Sequence, residues 1–135
     1  MTNLWTLLAL VAAGSALGGM VRFFVSGFVA RAIGETFPWG TFVVNVTGAF
    51  SIGILACLAD NNLLANWPQV WPLVVTGFLG SYTTVSSFSL QTLALARDGE
   101  WRRAARNVIL SLAFCLGAVT LGVLAGRAAI AAGAA

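Results

Sequence analysis

The chain has 135 residues, 59% hydrophobic and only 8% charged, with a net charge of +3 and no histidine. Soluble domains carry about 25% charged residues, and a chain this short buries too little of its surface to hide so much apolar area from water. The composition excludes an ordinary soluble domain, the scattered charge excludes a nucleic-acid surface, and the lack of histidine argues against zinc, haem or an imidazole proton relay.

The charges lie at Arg22, Arg31, Glu35, Asp60, Arg97, Asp98, Glu100, Arg102, Arg103, Arg106 and Arg127. They leave uncharged stretches from Met1 to Val21, Thr36 to Ala59, Asn61 to Ala96 and Asn107 to Gly126. Each supplies roughly the 20 apolar residues that a spanning helix needs. The expectation is an all-α membrane protein, one domain over residues 1–135 with four transmembrane helices and no enzymatic activity.

Helix one is placed at Leu4 to Ala30. Small residues at Ala12-Ala13-Gly14-Ser15-Ala16 imitate a signal-peptide cleavage site, but no basic region precedes them, which favours a retained span. Gly14 and Gly18 form a small-xxx-small pair suited to close helix packing or oligomerisation. Arg22 interrupts the apolar stretch; it either snorkels to the interface or faces a watery vestibule and concentrates anions there.

Helix two is placed at Gly40 to Ala59, after Pro38-Trp39. Its notable residue is Asn45, one turn beyond Thr41. An amide at that depth is costly without a partner or water, so it serves either an interhelical hydrogen bond or a polar path.

Helix three is placed at Val70 to Ala96, after Trp67-Pro68. It holds the run Thr76-Gly77-Phe78-Leu79-Gly80-Ser81-Tyr82-Thr83-Thr84-Val85-Ser86-Ser87-Phe88-Ser89. Glycines and hydroxyls lower helix preference and compete for backbone groups. One reading is a helix broken near mid-membrane, which must line a polar cavity or be buried in protein. The other is an unbroken helix whose hydroxyls bond to their own preceding carbonyls.

Helix four is placed at Arg102 to Ala129, after Asp98-Gly99. Asn107, Ser111 and Cys115 recur every four residues and so share one face. Cys57 and Cys115 lie in separate spans and offer no disulfide framework. Trp5, Trp39, Trp67, Trp71 and Trp101 sit near span ends, as interfacial indoles do. Arginine concentrates on the first and third connections, which places those loops in the cytoplasm and the termini outside.

No carboxylate falls within a span, whereas proton-coupled pumps and organic-cation exporters use one as relay or counter-ion. Hydroxyls, an amide, aromatic rings and one arginine are an inventory for a small anion.

Three segments resemble the CrcB/Fluc fluoride channel family: Gly18-Gly19-Met20-Val21-Arg22, Gly40-Thr41-Phe42-Val43-Val44-Asn45-Val46-Thr47-Gly48, and Gly77-Phe78-Leu79-Gly80-Ser81-Tyr82-Thr83-Thr84-Val85-Ser86-Ser87-Phe88-Ser89. The resemblance spans essentially the whole chain. It implies an antiparallel homodimer in a prokaryotic inner membrane, with passive fluoride efflux from the cytoplasm. It also implies a structural sodium ion on the dimer two-fold, held by the main-chain carbonyls of Gly80 and Thr83. Asn45 and Phe88 correspond to family pore residues, and Asn107, Ser111 and Cys115 to a polar track. Thr41, Ser86 and Ser87 supply further hydroxyls, with Arg22 at a vestibule.

Where the family carries its first pore phenylalanine this chain has Val85, which lacks an electropositive ring edge. The arginine bias is also larger than insertion in both orientations favours. Two rival functions follow: a non-conducting subunit needing a different partner, and a small multidrug-type exporter.

Overall fold

The computed structural model describes residues 3–34 and 36–133; Glu35, expected in the first loop, lies outside them. All regular structure among the described residues is helical, and four segments are long and apolar enough to cross a membrane. Helix α1 runs Leu4–Ile33, starting where Asn3 accepts the Thr6 N–H at 2.8 Å and ending at Gly34, whose φ of 94° suits glycine. It is three residues longer at its C-terminus than the sequence suggests, because Gly34 rather than Ala30 stops it. Helix α2 runs Trp39–Asp60 and α5 runs Trp101–Gly133.

The third span has two parts. The first, α3, winds as a π-helix over Trp71–Leu79, with Pro72 in its first turn, and tightens into one α turn at Gly80–Tyr82. Thr83 (φ −81°, ψ 158°) and Thr84 (φ −153°, ψ 119°) are extended, and helix α4 resumes over Val85–Arg97. Nothing in the apolar pattern announces the π winding.

Glycines set the two tightest helix seams. A Cβ on Gly14 would strike the Leu73 carbonyl oxygen, and one on Gly18 the Phe78 carbonyl oxygen, so α1 lies directly against the α3 backbone. The small-xxx-small pair is therefore used within the chain. On the other side Gly53 of α2 faces the Val119 carbonyl, and Gly122 of α5 faces the Phe50 carbonyl. These close approaches substitute for a hydrophobic driving force, which lipid does not supply between spans.

The small buried core is Val44, Leu79 and Tyr82, with Val25, Ile52, Leu55 and Phe78 packed around it. Many large apolar side chains instead point outward, among them Phe23, Phe24, Phe28, Leu116 and Leu121. Such a surface suits acyl chains or a partner subunit. Trp5, Trp67, Trp71 and Trp101 are exposed near helix ends, whereas Trp39 belongs to a cluster with Phe37 and Phe42 that Arg106 covers, its guanidinium carbon 5.4 Å from the Phe37 ring centre.

The seams set a stability test. Gly18→Val should lower the stability of the detergent-solubilised protein by about 1–3 kcal/mol through overpacking, read as a fall in its thermal midpoint. Gly117→Ala, where an added Cβ meets nothing within 4 Å, should leave the midpoint unchanged or raise it. Equal effects from both would separate the α1–α3 seam from stability.

Candidate functional site: the Thr83–Thr84 junction and its cavities

The hydroxyl run ends α3 because its next peptide bonds outside the helix. In a continuous α-helix the Thr84 N–H would donate to the Gly80 carbonyl. Instead it donates to Asn45 Oδ1 at 2.7 Å, while Asn45 Nδ2 donates to the Thr84 carbonyl at 2.9 Å. The amide thus pairs with both polar groups of one residue, as a neighbouring strand would. The pattern also orients it, since exchanging nitrogen and oxygen would set donor against donor.

Thr84 then starts α4. Its Oγ1 accepts the Ser87 N–H at 3.2 Å, in the manner of a helix N-cap, and lies 3.1 Å from Ser86 Oγ. Thr83 Oγ1 returns to the Leu79 carbonyl at 2.9 Å, while its methyl rests in the space left by Gly48. Asn45 and Gly48 lie three residues apart on one face of α2, so a single helix face seats the junction. Among the described residues, no backbone donor from beyond the junction reaches the Gly80 or Thr83 carbonyl.

Two cavities border this point, and a further one lies beside them. One of about 540 Å³ lies between the α1–α2 connection and α4, lined by Ser26, Thr41, Ser87, Gln91 and Asp98 among others. A second of about 500 Å³ is lined by Arg22, Ser26, Thr41, Thr84 and Ser87. The third, about 480 Å³, is lined by Asn45, Gly80, Thr83, Thr84, Phe88, Ser111 and Cys115. The first two share Ser26, Thr41 and Ser87, and the last two share Thr84. Hydroxyls therefore form the walls between successive cavities.

Most of the residues singled out in the sequence meet here. Asn45, Phe88, Ser111, Gly80 and Thr83 line one cavity, and Thr41, Ser87 and Arg22 the next. Arg22 is half-buried, and its carbonyl accepts the Ser26 hydroxyl at 2.7 Å. Two residues stand apart. Ser86 is exposed and lines none of the three cavities. Asn107 is almost wholly buried between α4 and α5; its Nδ2 donates to Thr92 Oγ1 at 2.8 Å, and Thr92 Oγ1 donates to the Phe88 carbonyl at 2.7 Å. Ser111 reaches Asn107 at 3.5 Å, a long contact. The polar series on α5 thus begins as a clamp on α4 and opens into a cavity at Ser111 and Cys115.

Sequence reasoning missed Thr92, Gln91 and the Thr84 peptide. Asn45 and Thr84 are 39 residues apart, and no local pattern pairs them. Gln91 carries the one buried side-chain oxygen without a partner among the described residues, although Gln at that point of helix three was a visible polar interruption.

The sequence matches the model of the family described as CrcB-like protein, Camphor Resistance (CrcB), over residues 9–123. It is 62% identical over 121 residues to the "Fluoride-specific ion channel FluC 2" of Rhodopseudomonas palustris (strain BisB18), covering 89% of this chain and 92% of that one. It is 58% identical over 116 residues to the protein of the same name in Bradyrhizobium diazoefficiens, covering 84% of each. With the "Fluoride-specific ion channel FluC" of Opitutus terrae it shares 54% identity over 116 residues, covering 85% of this chain and 88% of the relative.

The Asn45–Thr84 pair predicts a specific loss. Asn45→Ala strands a peptide N–H and C=O, and should cost about 2–3 kcal/mol, measured by thermal denaturation in detergent. Asn45→Gln, which keeps the amide, should recover part of that. A midpoint unchanged in Asn45→Ala would contradict the capping role.

Proposed function

Because the chain belongs to the CrcB family, we propose that it is a fluoride channel that lets the ion leave a prokaryotic cytoplasm down its gradient across the inner membrane. The observation that carries this reading is the chain of hydroxyl-walled cavities around a seated peptide junction, together with relatives at 54–62% identity named as fluoride channels.

Fluoride is small and strongly hydrated, so entry requires donors that replace its water. Thr41, Ser87 and Ser111 offer hydroxyls, and Asn45 Nδ2 keeps a second N–H beyond the one given to Thr84. Phe88 presents a ring whose edge carries positive partial charge. Arg22 raises the local anion concentration at the middle cavity. Conduction also demands contacts weak enough to release the ion. Absence of a carboxylate from the cavity nearest Asn45 removes a source of repulsion.

The reading extends to assembly. A second copy in the opposite orientation would cover the outward face that carries Val85, which is 76% exposed. It would also bring two Thr83–Thr84 junctions together near the membrane middle. Gly80 and Thr83 line a common cavity, and among the described residues their carbonyls take no backbone donor across the junction; such oxygens are a donor set suited to a hard monovalent cation such as sodium. Four such oxygens from two copies would hold it, and the ion would supply positive charge that offsets the gathered carbonyl dipoles. The exposed aliphatic Val85 also supports a second reading, in which this chain needs a different subunit to supply the missing ring.

Efflux from liposomes, followed with a fluoride electrode, tests the assignment. Asn45→Asp puts a negative charge at the junction and should abolish fluoride release, whereas unchanged flux would remove Asn45 from the path. Val85→Phe should keep or raise the rate. A silent Val85→Phe would mean that the path has repacked around valine.

A further inference from the structure

We propose that Tyr82 is a positioning residue for the conduit, acting through its hydroxyl on Thr47 rather than by packing alone. The inference rests on the conduit reading above.

Tyr82 is the last helical residue before the extended pair, and it is buried. Its oxygen lies 2.8 Å from Thr47 Oγ1 on α2. Thr47 has one hydroxyl proton, and that proton is directed to the Val43 carbonyl at 2.7 Å. Thr47 therefore accepts, and Tyr82 donates. The ring is held from behind by Phe78, with the two planes 13° apart and centres 5.8 Å apart. Both of the ring's degrees of freedom are thus set, one by stacking and one by the hydroxyl.

This places a fixed strut on the N-terminal side of the extended pair, while Asn45 holds its C-terminal side at Thr84. Thr83 sits between them with its methyl in the Gly48 space. The two anchors, Asn45 and Thr47, are two residues apart in α2, so one short stretch of α2 fixes the backbone on both sides of Thr83 beside the cavity that Gly80 and Thr83 line. Packing alone does not require the hydroxyl: phenylalanine would fill the same space and stack on Phe78. The oxygen adds direction, and interhelical hydrogen bonds in a membrane contribute modestly to stability. Its effect should therefore be larger on conduction than on melting.

The test uses the full chain, purified and reconstituted, with Tyr82→Phe, Thr47→Val, the double variant and Thr47→Ser. Fluoride efflux and amide hydrogen exchange at Thr84 are read together. The expected result is a loss of about fivefold in efflux for each single variant, from the modest strength of such bonds. The double variant should lose no more than either single, and Thr47→Ser should restore the parent rate. Exchange at Thr84 should quicken in Tyr82→Phe and Thr47→Val, while the thermal midpoints stay close to the parent. Unchanged exchange in Tyr82→Phe overturns the proposal, as does a double variant whose loss is the product of the singles. Should the parent carry no fluoride, the conduit reading fails, and the exchange rates still decide whether Tyr82 holds the junction.

Discussion

Two hydrogen bonds between the Asn45 amide and the Thr84 residue govern the third span. A peptide that leaves a helix inside an apolar layer must find a donor and an acceptor, because lipid offers neither. Asn45 supplies both from one side chain, which few residues can do. The same pairing withdraws the Thr84 N–H from the Gly80 carbonyl, so satisfying one peptide exposes another. That exchange leaves a carbonyl without its usual helical donor, next to the cavity that Gly80 and Thr83 line.

The rest of the fold brings α2 to that peptide at the right height. Gly14 and Gly18 let α1 lie on the α3 backbone, and Gly53 and Gly122 let α5 lie on α2. With both seams closed, the Asn45–Gly48 face of α2 meets Thr83 and Thr84. The cavities follow from the same arrangement: extended backbone occupies less width than a helix, and small hydroxyl side chains border the space left beside it. An apolar helix in that position would have filled the space with side chains and left no donors.

Much of this was legible in the sequence. Spacing of the eleven charges marked four spans, since each charge resists the membrane interior. Tryptophan and proline marked the connections, while the hydroxyl run of helix three left a broken and an unbroken helix equally open. Asn45 stood out as an amide in an apolar helix. The partner of that amide could not be read, because the pairing joins residues 39 apart and depends on how α2 and α3 cross. Asn107 illustrates the opposite limit: the four-residue spacing placed it correctly on one face with Ser111, but spacing does not say whether a face meets a cavity or another helix. It meets Thr92. The π winding of Trp71–Leu79 and the tyrosine strut likewise depend on tertiary neighbours that local propensity does not encode.

The central claim is that hydroxyl and amide donors, with the lining carboxylate Asp98 confined to the cavity beside the α1–α2 connection, pass a halide and need no coupled proton. Its most direct measurement compares fluoride and chloride release from liposomes holding this chain alone, with equal pH on both sides and a potassium gradient as the only drive. The account predicts fast fluoride release, little chloride release and no change in internal pH that tracks the flux. Fluoride release that requires an imposed proton gradient, or chloride release at the same rate, would contradict it.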